Sequence, residues 1–158
     1  HRPFNDLGYE GVRIMEAHEN YNRQHQDIRE ENGIKYGDVI EGVNFEYAKK
    51  LTAVNEISLA GLAWAPPAPA NLRIGGAVRP STNLIWDKTD DPNVAGYKVY
   101  WRLTTSPTWD NYVFVPAGQN GKTLEGIVID NYYFGVSAVG HDGNESPVVF
   151  PLRQIRRR

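Results

Sequence analysis

The spacing of apolar residues changes once along the chain, at the proline-rich stretch 65–70. Before this stretch, the apolar run 11–15 predicts a short strand, and a polar loop follows from residue 17 to about residue 37. Residues 45–64 then repeat apolar side chains at helical spacing, and Asn44 is placed to cap the N-terminus of this helix. The first part of the chain is therefore predicted to contain one strand, one long loop and one long helix.

The predicted helix is apolar on two faces. The two rows are Ala48, Leu51, Leu59 and Leu62, and Val54, Ile57, Gly61 and Trp64. A single strand covers only one such face, and these few elements bury too little surface to offset the entropy of ordering them. We therefore expect residues 1–65 to pack against protein that lies outside this sequence.

After the linker at 66–70 the apolar period becomes two, in short runs bounded by Gly, Asn, Asp and Pro. This pattern is typical of an antiparallel β-sandwich, which we place at residues 71–152 with a basic, solvated tail at 153–158. Each predicted strand boundary is accurate to about three residues. The strands are predicted at 71–74, 83–87, 97–102, 112–115, 122–124, 132–139 and 147–150.

The motifs of this second part resemble the fibronectin type III family. They are Pro69-Ala70-Asn71-Leu72, Leu84-Ile85-Trp86-Asp87, Gly96-Tyr97-Lys98-Val99-Tyr100-Trp101-Arg102, Leu124-Glu125-Gly126-Ile127 and Tyr132-Tyr133-Phe134-Gly135-Val136-Ser137-Ala138-Val139. The resemblance implies that the Tyr132 hydroxyl bonds backbone near Leu124, although one residue is deleted before this Tyr. It also implies a set of inward-facing side chains: Trp86, Tyr97, Val99, Tyr132, Phe134, Val136 and Ala138. Trp109, on a predicted loop, is either packed against the sandwich or presented to a partner.

Composition narrows the function classes. The net charge is −2, the only basic cluster is the C-terminal tail, and no apolar run approaches the ~18 residues of a membrane span. We therefore expect neither a nucleic-acid partner nor a membrane span. The absence of cysteine excludes disulfides and thiolate metal sites. Because the sequence opens at His1 without Met or a signal pattern, we expect a fragment of a longer protein.

The loop after the first predicted strand is rich in groups that can ionise or bind metals. Residues 16–27 include three carboxylates besides His18 and His25, and loops after strands are where open α/β sheets place their sites. However, the histidines have no His-Glu-x-x-His spacing and no cysteine partners. The residues alone therefore leave open whether His25 is a ligand or an ordinary surface histidine.

Taken in order, this part of the chain resembles the C-terminal end of the M28 family of zinc aminopeptidases. The matching residues are His1-x-x-Phe4-x-x-Leu7-Gly8-Tyr9, Val12-Arg13-Ile14-Met15-Glu16, Glu19-Asn20-Tyr21-x-x-Gln24-His25-Gln26-Asp27 and the terminal helix. The resemblance implies that His25 is the last ligand of a two-zinc site and that Asp27 orients it. It further implies a substrate pocket bordered by His1, Phe4, Tyr21 and Gln24, although Tyr21 is equally well explained as a packing residue of the loop.

The other zinc ligands and the general base of that family are absent from this sequence, so the chain alone is expected to be inactive. The fold class is predicted to be mixed: the C-terminal part of an α/β zinc exopeptidase domain (1–65), followed by an all-β fibronectin type III sandwich. The predicted function is that of a secreted or periplasmic bacterial aminopeptidase acting on peptides. The sandwich would be an accessory module for a surface or polymer.

Two other functions are compatible with the sequence. The chain could be a non-catalytic binding protein whose sandwich engages a protein or glycan, which predicts an aromatic or polar patch around Trp109 and no metal affinity near His25. It could also be a structural spacer, which predicts a featureless, charge-balanced sandwich surface.

Overall fold

A computed structural model describes residues 1–8 and 11–151 of the chain. The chain divides into two compact units, one from His1 to Ile57 and one that begins at Ser58, so the division falls within a single helix. The two units differ in their hydrophobic cores: the first buries few side chains, whereas the second has a continuous core.

The first unit contains one short helix, one hairpin and the larger part of a long helix. Helix α1 spans Arg2–Asp6, strands β1 and β2 span Arg29–Glu31 and Ile34–Tyr36, and helix α2 begins at Phe45 and ends at Trp64. A 3-10 turn at Ile40–Gly42 precedes α2. The hairpin, which was not predicted, turns at Asn32-Gly33 with positive φ at both residues, as a tight Asn-Gly turn requires.

The strand predicted at 11–15 is not formed; this prediction was wrong. A strand is stable only when its backbone N–H and C=O groups form hydrogen bonds with a neighbouring strand. No other strand among the described residues lies beside this segment, and Val12 and Met15 are exposed.

Helix α2 confirms the sequence prediction, including its start. The Asn44 side-chain oxygen accepts a bond from the N–H of Tyr47 at 3.0 Å, which satisfies a backbone donor that the helix leaves free. None of its residues is buried, and Ile57, Leu59 and Trp64 are about two-thirds exposed or more. The apolar surface expected from the sequence is therefore present, and the described residues leave it exposed.

The second unit is a two-sheet antiparallel sandwich, as predicted, and it resembles a fibronectin type III module in this arrangement. One sheet has the order β3-β4-β7 and the other β6-β5-β8. The strands are β3 Ala70–Gly75, β4 Thr82–Asp87, β5 Val94–Leu103, β6 Asn111–Pro116, β7 Gly121–Leu124 and β8 Tyr132–Gly140. Six of the seven predicted strands are thus confirmed.

The core lies between the two sheets. Trp86 and Tyr97 are fully buried at its centre, with ring centroids 5.2 Å apart in an edge-to-face arrangement. The buried Thr82 hydroxyl donates to the Ile127 carbonyl at 2.8 Å. The predicted inward residues are buried except Tyr132, which is half-buried against the same core.

Two details of the sandwich differ from the prediction. The last segment forms only single bridges to β8, Val136 with Val149 and Val139 with Glu145, because Pro147 and Pro151 lack the N–H that a continuous ladder needs. Among the described residues, the Tyr132 hydroxyl makes no hydrogen bond, so the predicted bond to the backbone near Leu124 is not formed.

In the described part of the chain, no helix has both the length and the hydropathy that a membrane-spanning segment requires. The long helix and the sandwich of the predicted mixed fold are present. The assignment of the first unit to an α/β exopeptidase domain stays a prediction.

Candidate functional site

The loop that carries His25 begins with one tight turn. The N–H groups of Arg23 and Gln24 both donate to the Asn20 carbonyl, at 2.9 and 3.1 Å. The Asn20 side chain accepts a further bond from the N–H of Asn22 at 3.1 Å, the local geometry that Asn favours in turns. The backbone directly before His25 is therefore fixed.

Gly37 holds this turn to the base of the β1–β2 hairpin. Its N–H donates to the Asn22 carbonyl at 3.0 Å, and its carbonyl accepts from the Arg23 guanidinium at 3.5 Å. Gly37 has a φ of +91°, and a Cβ here would lie 2.8 Å from the Ile28 Cα. Only glycine fits this position without displacing backbone.

His25 has a left-handed backbone, with a φ of +55°, and its side chain is exposed. Such values are uncommon outside glycine and are concentrated at functional sites. On the other side of His25, the Arg29 guanidinium donates to the Gln26 side chain at 3.2 Å and to the Asp27 carbonyl at 3.5 Å. The imidazole is thus presented to solvent from a backbone that is anchored before and after it.

A cavity of about 700 Å³ lies beside this loop, within the first unit. Glu19, one of its lining residues, is mostly buried and lies 3.7 Å from the Arg13 guanidinium. Other lining residues include Glu16, Gln24, Asp38, Tyr47 and Leu51. The lining carries more carboxylates than cations, so its field favours a positively charged or amine group.

The structure brings only part of the predicted site together. Gln24 lines the cavity, whereas Tyr21 and His25 do not. His1 and Phe4 are exposed at helix α1, where the His1 carbonyl accepts the first helical bonds. No hydrogen bond joins Asp27 to His25 in the described part of the chain, so the orienting role of Asp27 stays a prediction.

A zinc site in a protein needs three or four protein ligands. Within residues 1–8 and 11–151, no group of three or more His, Cys, Asp or Glu side chains is arranged to hold a metal ion. His25 is an exposed imidazole that could contribute one ligand. These residues do not by themselves fit a zinc ion.

The outer face of the β6-β5-β8 sheet carries a second cluster, made of aromatic side chains. Of these, the sequence pointed only to Trp109 as a possible contact for a partner. Four rings follow one another with centroids 5.6 Å apart at each step, and we call them the aromatic row: Tyr112, Tyr100, Trp109 and Phe150. Trp109 is half-buried and its ring lies over Gly135, where an added Cβ would come within 3.2 Å of it. Packing of Trp109 against the sandwich is therefore observed, within an aromatic patch. The sequence feature that could have predicted this cluster is the alternation of side chains along β5, where Lys98, Tyr100 and Arg102 point opposite to the core residues.

Glu145 organises the polar edge of this face. Its carboxylate accepts bonds from Lys98 Nζ at 2.6 Å, from the Tyr100 hydroxyl at 2.5 Å and from the Ser137 hydroxyl at 2.6 Å. Burial raises the pKa of Glu145, but the bonds from Lys98, Ser137 and Tyr100 outweigh it, so the pKa is lowered overall. Burial and the adjacent carboxylate raise the pKa of Tyr100, so it stays a protonated donor.

Curated fungal proteins match nearly the whole chain. A protein of Leptosphaeria maculans named probable zinc metalloprotease is 40% identical over 153 residues, which cover 96% of this chain and 35% of that protein. Proteins of the same name from Pyrenophora tritici-repentis and Pyricularia oryzae are 39% and 35% identical, and each match covers 96% of this chain and 31% of the relative. The chain spans about a third of the length of these relatives. Their fungal origin does not agree with the bacterial source expected from the sequence.

Solved structures of fibronectin type III domains match about half of the chain. The fn3 domain of human collagen alpha-1(XX) chain has 22% identity and a TM-score of 0.47, covering 55% of this chain and 82% of that one. The fn3 domain of human contactin 1 has 18% identity and a TM-score of 0.45, covering 54% and 76%. No protein-family model matches the chain.

Proposed function

We propose that this chain is part of a zinc-dependent aminopeptidase of the M28 type. The observation that carries the proposal is the similarity of 96% of the chain to proteins named probable zinc metalloprotease. The motifs around His25 and the terminal helix, which resemble the end of the M28 catalytic domain, add the reaction class. The substrate class is a peptide with a free N-terminus.

In this proposal His25 is the zinc ligand that the chain contributes to the complete enzyme. A ligand must hold a fixed direction, and the anchored, left-handed backbone of His25 supports such a role. The remaining ligands, any second zinc ion and the general base come from protein outside the described residues, because His25 is only one of the three or four ligands required. The exposed apolar face of α2 is the surface against which that protein packs. This chain alone is therefore expected to be inactive.

Four further residues are proposed for the substrate pocket, and one for orientation. Gln24 lines the cavity beside the loop, which supports a contact with substrate. His1, Phe4 and Tyr21 are exposed and free to contact a peptide that binds between this unit and the rest of the enzyme. Asp27 follows His25 closely enough to orient it once the site is complete.

We propose secretion as the destination of the protein, with the sandwich as an accessory module for a surface or polymer. The periplasm is a bacterial compartment, and the fungal origin of the relatives supports secretion over a periplasmic location. Fractionation of an expressing fungal culture tests this: the protein should be recovered from the medium, and retention in the cell pellet would contradict secretion.

The decisive experiment is hydrolysis of leucine-para-nitroanilide, together with zinc content, by the product of the complete gene and its His25→Ala variant. We expect the variant to lose activity by at least about a hundredfold and to bind less zinc, since ligands of catalytic zinc are rarely replaceable. His18→Ala, which removes a nearby exposed imidazole, is the matched control and should retain both.

N-acetyl-leucine-para-nitroanilide separates the aminopeptidase from other peptidases, because acetylation removes the free amine. Hydrolysis of the acetylated compound at a similar rate would contradict an aminopeptidase while leaving a zinc peptidase. Full activity and full zinc content in His25→Ala would overturn the assignment of His25. Lack of both activity and zinc in the wild-type protein would overturn the enzyme and favour the binding-module function.

A further inference from the structure

The aromatic row is packed on the sheet at its centre and exposed at both ends. Tyr112 and Phe150 are 58% and 53% exposed, whereas Tyr100 and Trp109 between them are half-buried. Gly135 of β8 lies under Trp109, and β6 and β8 both pair with β5, so packing on the sheet positions the two central rings before a partner binds. Preorganised aromatic side chains of this kind contribute binding energy at low entropic cost.

Beside the aromatic row lies one positively charged side chain, Arg102, that has no ion-pair partner among the described residues. Lys98 is paired with Glu145 at 2.6 Å, so these two charges cancel. The Arg102 guanidinium lies 5.3 Å from the Trp109 ring centroid and 4.9 Å from that of Tyr133, and it donates to the Ser106 carbonyl. Among the described residues no carboxylate lies within ion-pair distance of Arg102, so its guanidinium can pair with an anionic group of a partner.

The geometry favours a polypeptide over a polysaccharide. A sugar ring stacks flat on an aromatic face, but successive rings of the row are tilted by 49°, 41° and 38° and do not form one platform. Side chains of a protein can insert between tilted rings. Tyr, Trp and Arg are also the residues most enriched at the energetic centres of protein interfaces.

We propose that the aromatic row and Arg102 form a docking site for a separate protein that presents an acidic side chain between apolar or aromatic ones. The carboxylate would pair with Arg102, and its apolar neighbours would pack on Tyr112 and Phe150. The proposal does not depend on peptidase activity, because none of these residues belongs to the His25 loop.

The test uses fluorescently labelled poly(Glu,Tyr) copolymer as the probe and follows its anisotropy on addition of the 158-residue chain. We expect saturable binding that weakens as salt is raised, and no binding of poly(Lys,Tyr). Arg102→Gln should weaken binding about tenfold, the effect of losing one charge-assisted contact. Tyr112→Ala, at an exposed position, should weaken it by a similar factor without affecting the fold.

Arg73→Gln, on the opposite sheet, is the matched control and should bind like the wild type. Equal binding by wild type, Arg102→Gln and Tyr112→Ala would overturn the proposal, as would failure of poly(Glu,Tyr) to bind. Displacement of the copolymer by polygalacturonate at lower concentration would identify an acidic glycan as the occupant instead. Sedimentation that shows a dimer in the wild type but not in Arg102→Gln would identify a second copy of the chain.

Discussion

Glu145 is a partly buried carboxylate of the sandwich whose ionisation is linked to folding. Its pKa is lowered in the folded protein from an ordinary value of 4.5, so the folded state binds its proton less readily than the unfolded state. The stability that the carboxylate contributes is therefore fully present above pH ~4.5. It is lost as the pH falls from that value through the lower folded-state pKa.

Replacement of Glu145 by Gln should remove this pH dependence. We expect a loss of about 1–2 kcal/mol in the free energy of unfolding at pH 7, because a partly buried carboxylate gives up its charge-assisted bonds. The difference between variant and wild type should shrink as the pH falls below 4.5. Urea unfolding at pH 7 and pH 3, followed by circular dichroism, measures both effects.

Asp87→Asn is the control for this substitution. Asp87 lies 3.6 Å from Arg73, but both side chains are about half exposed, so solvent screens the pair. We expect a change below about 0.5 kcal/mol. An equal loss of unfolding free energy in both variants would show that the Glu145 cluster stabilises the sandwich no more than an exposed ion pair does.

Single residues divide clearly into those that the sequence predicts and those that it does not. Trp86 and Tyr97 were predicted as core residues because the motifs that contain them resemble those of the fibronectin type III family, and such motifs are local stretches of sequence. The Glu145 cluster was not predicted, because Lys98 and Glu145 are 47 residues apart and meet only through the order of the strands. The left-handed backbone of His25 was also unpredicted, since a histidine gives no local signal for it.

At the scale of elements, β8 and the aromatic row meet at Gly135. A Cβ at this position would overlap the Val148 side chain and lie 3.2 Å from the Trp109 ring. Gly135→Ala should therefore destabilise the sandwich by about 1–3 kcal/mol, as overpacking usually does, and displace Trp109. The near-ultraviolet circular dichroism and the urea midpoint should both change.

Gly118→Ala provides the matched control, because no atom lies within 4 Å of its added Cβ. We expect its midpoint and aromatic spectrum to match the wild type within error. A Gly135→Ala variant with an unchanged spectrum would contradict the packing of Trp109 on β8.

Gly37 connects the His25 loop to the hairpin, and its replacement tests that connection. Gly37→Ala forces a positive φ on Ala and a clash with the Ile28 backbone, so the bond from its N–H to Asn22 should be lost. We expect faster amide exchange in peptides that cover residues 20–28, measured by mass spectrometry. Gly61→Ala, in an open position of α2, should leave that exchange unchanged, and equal exchange in both variants would refute the connection.

Elements with a local cause were predicted, and those that need a distant partner were not. Helix α2 was predicted with its cap, because apolar spacing and an N-terminal Asn both lie within the segment. The strand predicted at 11–15 was wrong because this apolar run has no neighbouring strand among the described residues. The β1–β2 hairpin was missed although Asn32-Gly33 is a strong local turn signal.

For the whole molecule, the distribution of buried side chains determines what can fold by itself. Among the described residues, the buried aliphatic and aromatic side chains all lie between Leu72 and Val139, and Pro66 and Pro69 are buried just before them, whereas no residue of α2 is buried. The sequence predicted this asymmetry from the doubly apolar helix and the alternating strands. The sequence could not identify the protein surface that covers α2, because that surface is not part of the sequence.

We therefore expect residues 66–158, produced as a separate chain, to unfold cooperatively in urea, because their core is complete without residues 1–65. Residues 1–64, produced separately, should show no cooperative transition and should bind a hydrophobic dye, because the exposed side chains of α2 have no core to join. Circular dichroism and dye fluorescence measure both. A cooperative transition in residues 1–64 would mean that the first unit is a domain in its own right, and would weaken its assignment as one part of a larger catalytic domain.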